Sequence, residues 1–267
     1  MLFILRQLRR LELRKRSGQY FLYAVGEIVL IVFGILIALQ IGGWNEDRRE
    51  FHEETAILER LKSDFEANQE RLKVNDDLWR SITERLRDFQ KAMGPNPDTY
   101  PDELIHQYVT AFKQNPSFYP NEGVLNSLIA SGRIDLVSHE ELNYKLNSWP
   151  TLMGSYRFTM NYIAEQGFNN STEFRSHFPY QNLQTDAGRI NPRYSGISER
   201  MRDFDAAGPI GPSRFPSDQK LLLTSMELQN AIHSKRINGG ILVYKIADLQ
   251  QLHEEILELI NEELAKR

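Results

Sequence analysis

The sequence contains no cysteine. A disulfide framework, a thiolate metal site and a thiol nucleophile are therefore excluded. The six histidines show no pair at the spacing that a metal site needs. GxSxG, HExxH and glycine-rich phosphate-binding motifs are also missing. These absences predict a protein that is not an enzyme and that binds no metal or other cofactor.

The charge of the chain is slightly negative, with a formal net value of -4 at pH 7. Six basic residues precede residue 17, where Glu12 is the one acidic residue, so the rest of the chain carries the negative excess. An acidic domain repels the phosphate backbone of nucleic acids. The composition therefore predicts no nucleic-acid partner.

Residues 21–41 form the longest apolar run, FLYAVGEIVLIVFGILIALQI, in which Glu27 is the one ionisable side chain. A helix of this length, at about 1.5 Å per residue, matches the roughly 30 Å core of a bilayer. We therefore predict a transmembrane helix over residues 20–44. A cleaved signal peptide is the alternative. Its apolar region would be about 7–15 residues long and would end at a small-residue site, which Ile41-Gly42-Gly43 provides poorly.

The flanks of this run predict its orientation. Basic residues precede it and Asn45-Glu46-Asp47 follows it, so residues 1–19 should be cytoplasmic and the large C-terminal part translocated to the periplasm of the bacterial inner membrane. Residues 2–16 either lie on the lipid as a basic amphipathic helix or serve as a plain charged flank. The predicted membrane-interface residues are Arg9, Arg10, Arg14, Lys15, Arg16, Tyr20 and Trp44.

Residues 45–93 carry a seven-residue repeat, which predicts a stalk helix. Apolar residues recur at Phe51, Leu58, Phe65, Leu72, Trp79, Leu86 and Met93, whereas polar residues such as Asn68 and Asn75 interrupt the companion row. A dedicated coiled coil keeps both rows apolar. This favours packing on other helices of the same chain, with parallel dimerisation as the alternative. Asn75-Asp76-Asp77 could start a second helix.

The remainder is predicted to be helical, with a helical domain at 94–185, an irregular loop at 186–216 and a C-terminal helical pair at 217–267 that packs on the stalk. Asn238-Gly239-Gly240 is predicted to break that pair. No segment alternates long enough to indicate a sheet. The predicted fold class is therefore all-α, with one N-terminal transmembrane helix followed by a periplasmic helical bundle.

Local patterns predict further boundaries in the middle of the chain. Asn121 and Ser138 are expected to cap helices, and Gly132 is expected to end one with a positive φ. Residues 134–137 are expected to be extended. Ser17-Gly18 is expected to end the first basic segment.

Three short blocks in and after the apolar run resemble the signature of a known family. They are Gly26-Glu27-Ile28-Val29-Leu30, the run GILIALQI at residues 34–41, and Trp44-Asn45-Glu46. The family is an uncharacterised bacterial group of single-span membrane proteins of unknown function. The block 120–149 and the C-terminal pair after Leu221 are also similar to it. The resemblance implies an N-terminal anchor and a helical outer part, and it implies no activity.

Glu27, Gly34, Ala38 and Gly42 are the candidate contact residues within the span. An ionisable group inside a span marks a functional site by default, and small residues every four positions let another helix approach closely. The spacing places all four on roughly one helical face. This predicts contact with a second copy of the chain or with another membrane protein, in addition to the lipid bilayer.

Two functions remain open at this stage. The favoured one is a non-enzymatic interaction, scaffold or sensing component that is anchored in the membrane and assembles through its span. The alternative is a periplasmic ligand-binding or hydrolytic domain with a site under the 186–216 loop. Separately, Phe168, Phe174, Phe178 and Tyr180 could line a pocket, although core packing is the commoner use of aromatic residues.

Overall fold

The computed structural model describes residues 2–169, 213–215 and 218–267, with side chains from residue 25 onward and up to residue 166 in the first range. All regular structure in these ranges is helical, which confirms the all-α fold class. The elements are α1 (Leu2–Ala92), α2 (Asp102–Lys113), α3 (Gly123–Ala130), a 3-10 turn (Arg133–Leu136), α4 (Glu140–Asn169), α5 (Gln219–Thr224) and α6 (Met226–Ala265).

The chain divides into two compact units, Met1–Ile57 and Leu58–Arg267. The described part of the first unit is the N-terminal part of α1. The second unit contains the rest of α1, the remaining helices and the core of a helical bundle.

The apolar row of α1 forms one wall of this core. Leu58, Phe65, Leu72, Trp79 and Leu86 are each at most 2% exposed. Full burial of one such side chain stabilises a fold by about 1.5–3 kcal/mol relative to exposure. Because the row is covered by the same chain, the intrachain interpretation of the repeat is confirmed for the second unit. Parallel dimerisation through this row is not compatible with that burial.

Helix α6 packs antiparallel on this part of α1. Near its C-terminal end, His253 Nε2 lies 2.7 Å from the carbonyl oxygen of Phe65. Near its N-terminal end, His233 Nδ1 lies 3.2 Å from Gln90 Nε2. The C-terminal part of α6 therefore contacts α1 near residue 65, and its N-terminal part contacts α1 near residue 90.

The predicted break at Asn238-Gly239-Gly240 is wrong, because α6 continues through it. Gly239 is buried against α1, where an added Cβ would lie 2.8 Å from Thr83 Cγ2 and 3.3 Å from the ring of Trp79. This glycine therefore permits a close approach of two helices instead of ending one. The C-terminal pair breaks at Ser225, whose extended backbone separates α5 from α6 and whose hydroxyl accepts from the Leu228 N–H at 3.1 Å.

The predicted restart at Asn75-Asp76-Asp77 is also wrong, and so is the predicted end at Ser17-Gly18, since α1 is continuous from Leu2 to Ala92. Asn75 is buried and its side chain bonds other parts of the bundle. Asparagine often caps a helix, but Asn75 lies inside α1 and its side chain bonds a residue distant in sequence.

Smaller boundaries also differ from their predictions. Helix α4 is capped by His139 instead of Ser138, since His139 Nδ1 accepts from the Leu142 N–H at 3.1 Å. The residue before α3 is Glu122 instead of Asn121. Residues 134–136, expected to be extended, belong to the 3-10 turn, whereas Val137 is extended as predicted. The positive φ predicted for Gly132 is confirmed at 69°.

Gly239 and its neighbour Gly240 provide a matched pair of substitutions. Gly239→Ala should lower the free energy of unfolding by about 1 kcal/mol, because overpacking against Trp79 and Thr83 costs about 1–3 kcal/mol and outweighs the gain in helix propensity. Gly240→Ala, where an added Cβ meets no atom within 4 Å, should raise it by about 0.5–1 kcal/mol.

Urea unfolding of the full chain in detergent measures both effects. If both alanine substitutions stabilised the chain equally, Gly239 would not be needed for the close approach of α6 to α1.

Candidate functional site

The apolar part of α1 is exposed on all sides. Every residue from 25 to 44 is exposed. In the described ranges, α1 is the one helix that is long and apolar enough to cross a membrane, by length and composition. A signal sequence near the N-terminus meets the same criteria.

The four predicted contact residues, Glu27, Gly34, Ala38 and Gly42, all lie on this exposed part of α1. At about 100° per residue, they share one face of the helix, as their spacing predicted. A Cβ built on Gly34 or Gly42 meets no atom within 4 Å. The face is therefore open to another helix, and its role stays a prediction.

The predicted membrane-interface residues are only partly described. Trp44 is exposed. Arg9, Arg10, Arg14, Lys15, Arg16 and Tyr20 belong to α1, and their side chains lie outside the described residues. The predicted 186–216 loop, apart from residues 213–215, also lies outside them, as do Phe174, Phe178 and Tyr180. Phe168 belongs to α4, and its side chain lies outside the described residues.

The bundle contains a polar cluster that the sequence analysis missed. The side chains of this cluster form hydrogen bonds with residues 114–122, an irregular stretch between α2 and α3. We call this stretch the connecting segment. Asn68 of α1 binds one end of this segment twice. Its Nδ2 donates to the Asn121 carbonyl at 2.9 Å, and its Oδ1 accepts from the Asn121 N–H at 2.7 Å.

The middle of the connecting segment is bound by α1 and α4 together. Asn75 Nδ2 and Trp79 Nε1 both donate to the carbonyl of Pro116, at 3.2 and 2.8 Å. The Tyr156 hydroxyl of α4 accepts from the Phe118 N–H at 2.8 Å and lies 3.0 Å from Asn75 Oδ1, to which it donates. Each backbone group named here has a side-chain partner in place of a helical one.

Lys235 of α6 binds the beginning of the segment. Its Nζ donates to the carbonyl oxygens of Phe112 and Gln114 and to Asn115 Oδ1, the last two at 2.7 and 3.0 Å. These oxygens lie at and just beyond the C-terminal end of α2, where a positive charge is favourable. The ammonium also lies 5.5 Å from the ring centroid of Phe112. Lys235 therefore caps α2 from inside the core.

Burial sets the protonation behaviour of the cluster. It lowers the pKa of Lys235 to about 7, and the three oxygen acceptors oppose this shift because each stabilises the ammonium. It also raises the pKa of Tyr156 to about 12, so the hydroxyl stays protonated and can donate. The cavity beside Lys235 measures about 10 Å³, which is room for one water molecule. The geometry suits a structural junction.

His253 packs in the core and His139 caps a helix. Burial lowers the pKa of His253, and this neutral ring fits the core against Phe65 and Trp149. His139 caps α4. Among the described residues, no group of three His, Asp or Glu side chains is arranged to hold a metal ion.

A sequence signal for the cluster does exist. Lys235 falls within a buried row of α6 at alternating spacings of three and four, and Asn68 and Asn75 fall within the interrupted row of α1. The buried members on α6 are Leu228, Ile232, Lys235, Gly239, Leu242, Ile246, Leu249, His253, Ile256 and Ile260. A polar residue at such a position indicates a buried polar group that needs partners. The sequence does not name those partners.

These features define an all-helical protein with one long apolar helix near its N-terminus. The chain belongs to a family of unknown function, DUF6090, whose sequence pattern matches residues 27–170. The match includes residues 27–41 of the apolar run, Asn68, Asn75, Tyr156 and the connecting segment, and it ends before Lys235. Neither the curated proteins nor the solved structures contain a match to this chain.

Lys235 should make stability depend on pH in a defined direction. Its pKa is about 7 in the folded chain and 10.5 ordinarily, so between these values the unfolded chain binds a proton that the folded chain lacks. The free energy of unfolding should therefore rise with pH in this window, by up to about 1.4 kcal/mol per pH unit. Below about pH 7 this dependence should vanish.

Urea unfolding of the full chain between pH 7 and 9 measures this slope. Lys235→Met should reduce it, whereas Lys73→Met, at an exposed position of α1, should keep the wild-type slope. Identical slopes in wild type and Lys235→Met would contradict the assignment.

Proposed function

We propose that this protein is a membrane-anchored, non-enzymatic interaction component of the bacterial envelope, with a scaffolding or sensing role. The observation that carries this proposal is the apolar stretch of α1, residues 25–44, which is exposed on every side. Contiguous apolar surface of this extent requires a cover. A bilayer covers a helix all round, and the helix satisfies its own backbone hydrogen bonds there.

The continuity of α1 supports an uncleaved anchor. One helix runs from Leu2 to Ala92 and enters the second unit at Leu58. Cleavage after the apolar run would cut this helix in its interior. The Ile41-Gly42-Gly43 sequence at that point is also a poor cleavage site.

The charges flanking the span support a cytoplasmic N-terminus and a periplasmic bundle at the inner membrane. Alkaline phosphatase fused after Arg267 should therefore be active, because the enzyme folds only after export. A fluorescent protein that does not fold in the periplasm should be dark at the same position. An inactive phosphatase together with a bright fluorescent fusion would reverse the proposed topology.

Assembly through the span is the second part of the proposal. Gly34, Ala38 and Gly42 leave a shallow groove, and Glu27 lies on the same face, where a partner helix could shield or pair its carboxyl group. The partner is a second copy of the chain or another membrane protein. The missing catalytic motifs support an interaction role over catalysis.

A photocrosslinking residue in place of Ala38 should trap a partner in native membranes. The same residue in place of Leu36, about 200° away around the helix, should trap at least several-fold less. Equal yields at the two positions, or no product at either, would contradict assembly through this face.

A further inference from the structure

A groove lies between α1 and the connecting segment. It has a volume of about 390 Å³, within the range of about 300–1,000 Å³ that is typical of ligand sites. Val74 and Leu78 line it from α1, and residues 116–119 line it from the segment. The hydrogen bonds that hold Pro116 and Phe118 in place therefore also shape one wall of this groove.

The wall on the connecting segment is extended backbone. Proline fixes its own φ at about −65° and biases the residue before it towards an extended conformation. Pro116 and Pro120 therefore constrain both ends of this wall, and no turn or bend interrupts residues 114–122. Exposure alternates between the prolines, since Phe118 is buried whereas Ser117 and Tyr119 are exposed. Such alternation is typical of an extended chain.

One edge of this extended backbone is bound and the other is not. The Pro116 carbonyl and the Phe118 N–H bind side chains of α1 and α4. In an extended chain, the backbone groups of alternate residues point to opposite edges, so those of Ser117 and Tyr119 point away from these partners. In the described part of the chain, the backbone groups of these two residues have no hydrogen-bond partner. An extended edge of this kind is a template for pairing with another chain.

We propose that the groove binds an extended polypeptide segment of a partner protein, whose main chain pairs with Ser117 and Tyr119. In this mode of recognition, main-chain hydrogen bonds supply affinity and side-chain pockets supply specificity. Pro116 and Pro120 have no N–H to donate, so the pairing is confined to residues 117–119. The inference rests on the proposed interaction role, and it names the chemistry of the partner.

The side chains around the groove favour an uncharged segment. Glu70 and Arg71 both line the α1 wall, and their opposite formal charges cancel. A neutral main chain complements this wall better than a phosphate or a polyanion does. The ring of Tyr119 is 79% exposed and offers apolar area to a side chain of the partner.

Random heptapeptides displayed on phage are the probe, with the full chain in detergent as the target. Peptides enriched on the wild-type chain should bind the Ser117→Pro variant about tenfold more weakly, because proline removes an N–H and leaves its acceptor unpaired. The Ser117→Ala variant keeps this N–H and should bind the peptides as the wild type does.

Two further measurements identify the binding mode. Tyr119→Ala removes an exposed ring and should weaken binding several-fold, whereas Tyr144→Ala, at another exposed ring, should not. N-methylation of the peptide at successive residues should weaken binding at alternate positions, because an extended pair uses alternate N–H groups. Tyr119→Ala decides the question by itself if Ser117→Pro fails to fold. Equal binding to wild type, Ser117→Pro and Tyr119→Ala, or no enrichment on the wild-type chain, would overturn the proposal.

The groove and the span are tested in separate experiments. Peptide binding at the groove without a crosslink at Ala38 would reject assembly through the span and keep the groove. A crosslink at Ala38 without peptide binding would do the reverse.

Discussion

The bundle depends on the hydrogen bonds that irregular backbone must make when it packs against helices. The carbonyl of Pro116 and the N–H groups of Phe118 and Asn121 have side-chain partners in place of helical ones. A buried backbone group left without a partner costs about 1–3 kcal/mol. Three helices supply side chains that bind the connecting segment: α1, α4 and α6. These side chains are Asn68, Asn75, Trp79, Tyr156 and Lys235. The segment thereby joins helices that are distant in sequence.

The same bonds fix the register of α1. An apolar row with a seven-residue repeat could pack equally well after a shift of seven residues. Asn68 and Asn75 are themselves seven residues apart, but their partners, Asn121 and Pro116, are five apart. A shift would bring at most one asparagine to an acceptor and would leave the other buried without a partner. Buried polar residues thus specify one arrangement where apolar residues alone permit several.

Sequence periodicity predicted the features that depend on local pattern. The repeat in residues 51–93 predicted a long helix with a buried row, and the absence of alternation predicted an all-α chain. Glu27, Gly34, Ala38 and Gly42 share a helical face because spacing alone decides that. Helix caps were predicted to within about a residue of their positions.

Features that depend on tertiary partners could not be predicted in this way. Gly239 was interpreted as a helix breaker because the sequence does not show the Trp79 ring against which it packs. Asn75 was interpreted as a helix start for the same reason. Lys235 finds its acceptors more than one hundred residues away, and no spacing rule connects residues over such a separation. The proposed membrane role of the apolar run rests on its composition and its exposure.

Tyr156 provides the most direct test of the claim that the bundle depends on the connecting segment. Tyr156→Phe removes only the hydroxyl, and it leaves the Phe118 N–H and one acceptor of Asn75 without that partner. Urea unfolding of the full chain, followed by tryptophan fluorescence, should show a loss of about 1–3 kcal/mol. Tyr119→Phe, at a ring that is 79% exposed, should show almost none. Equal stability of the two variants would contradict the account.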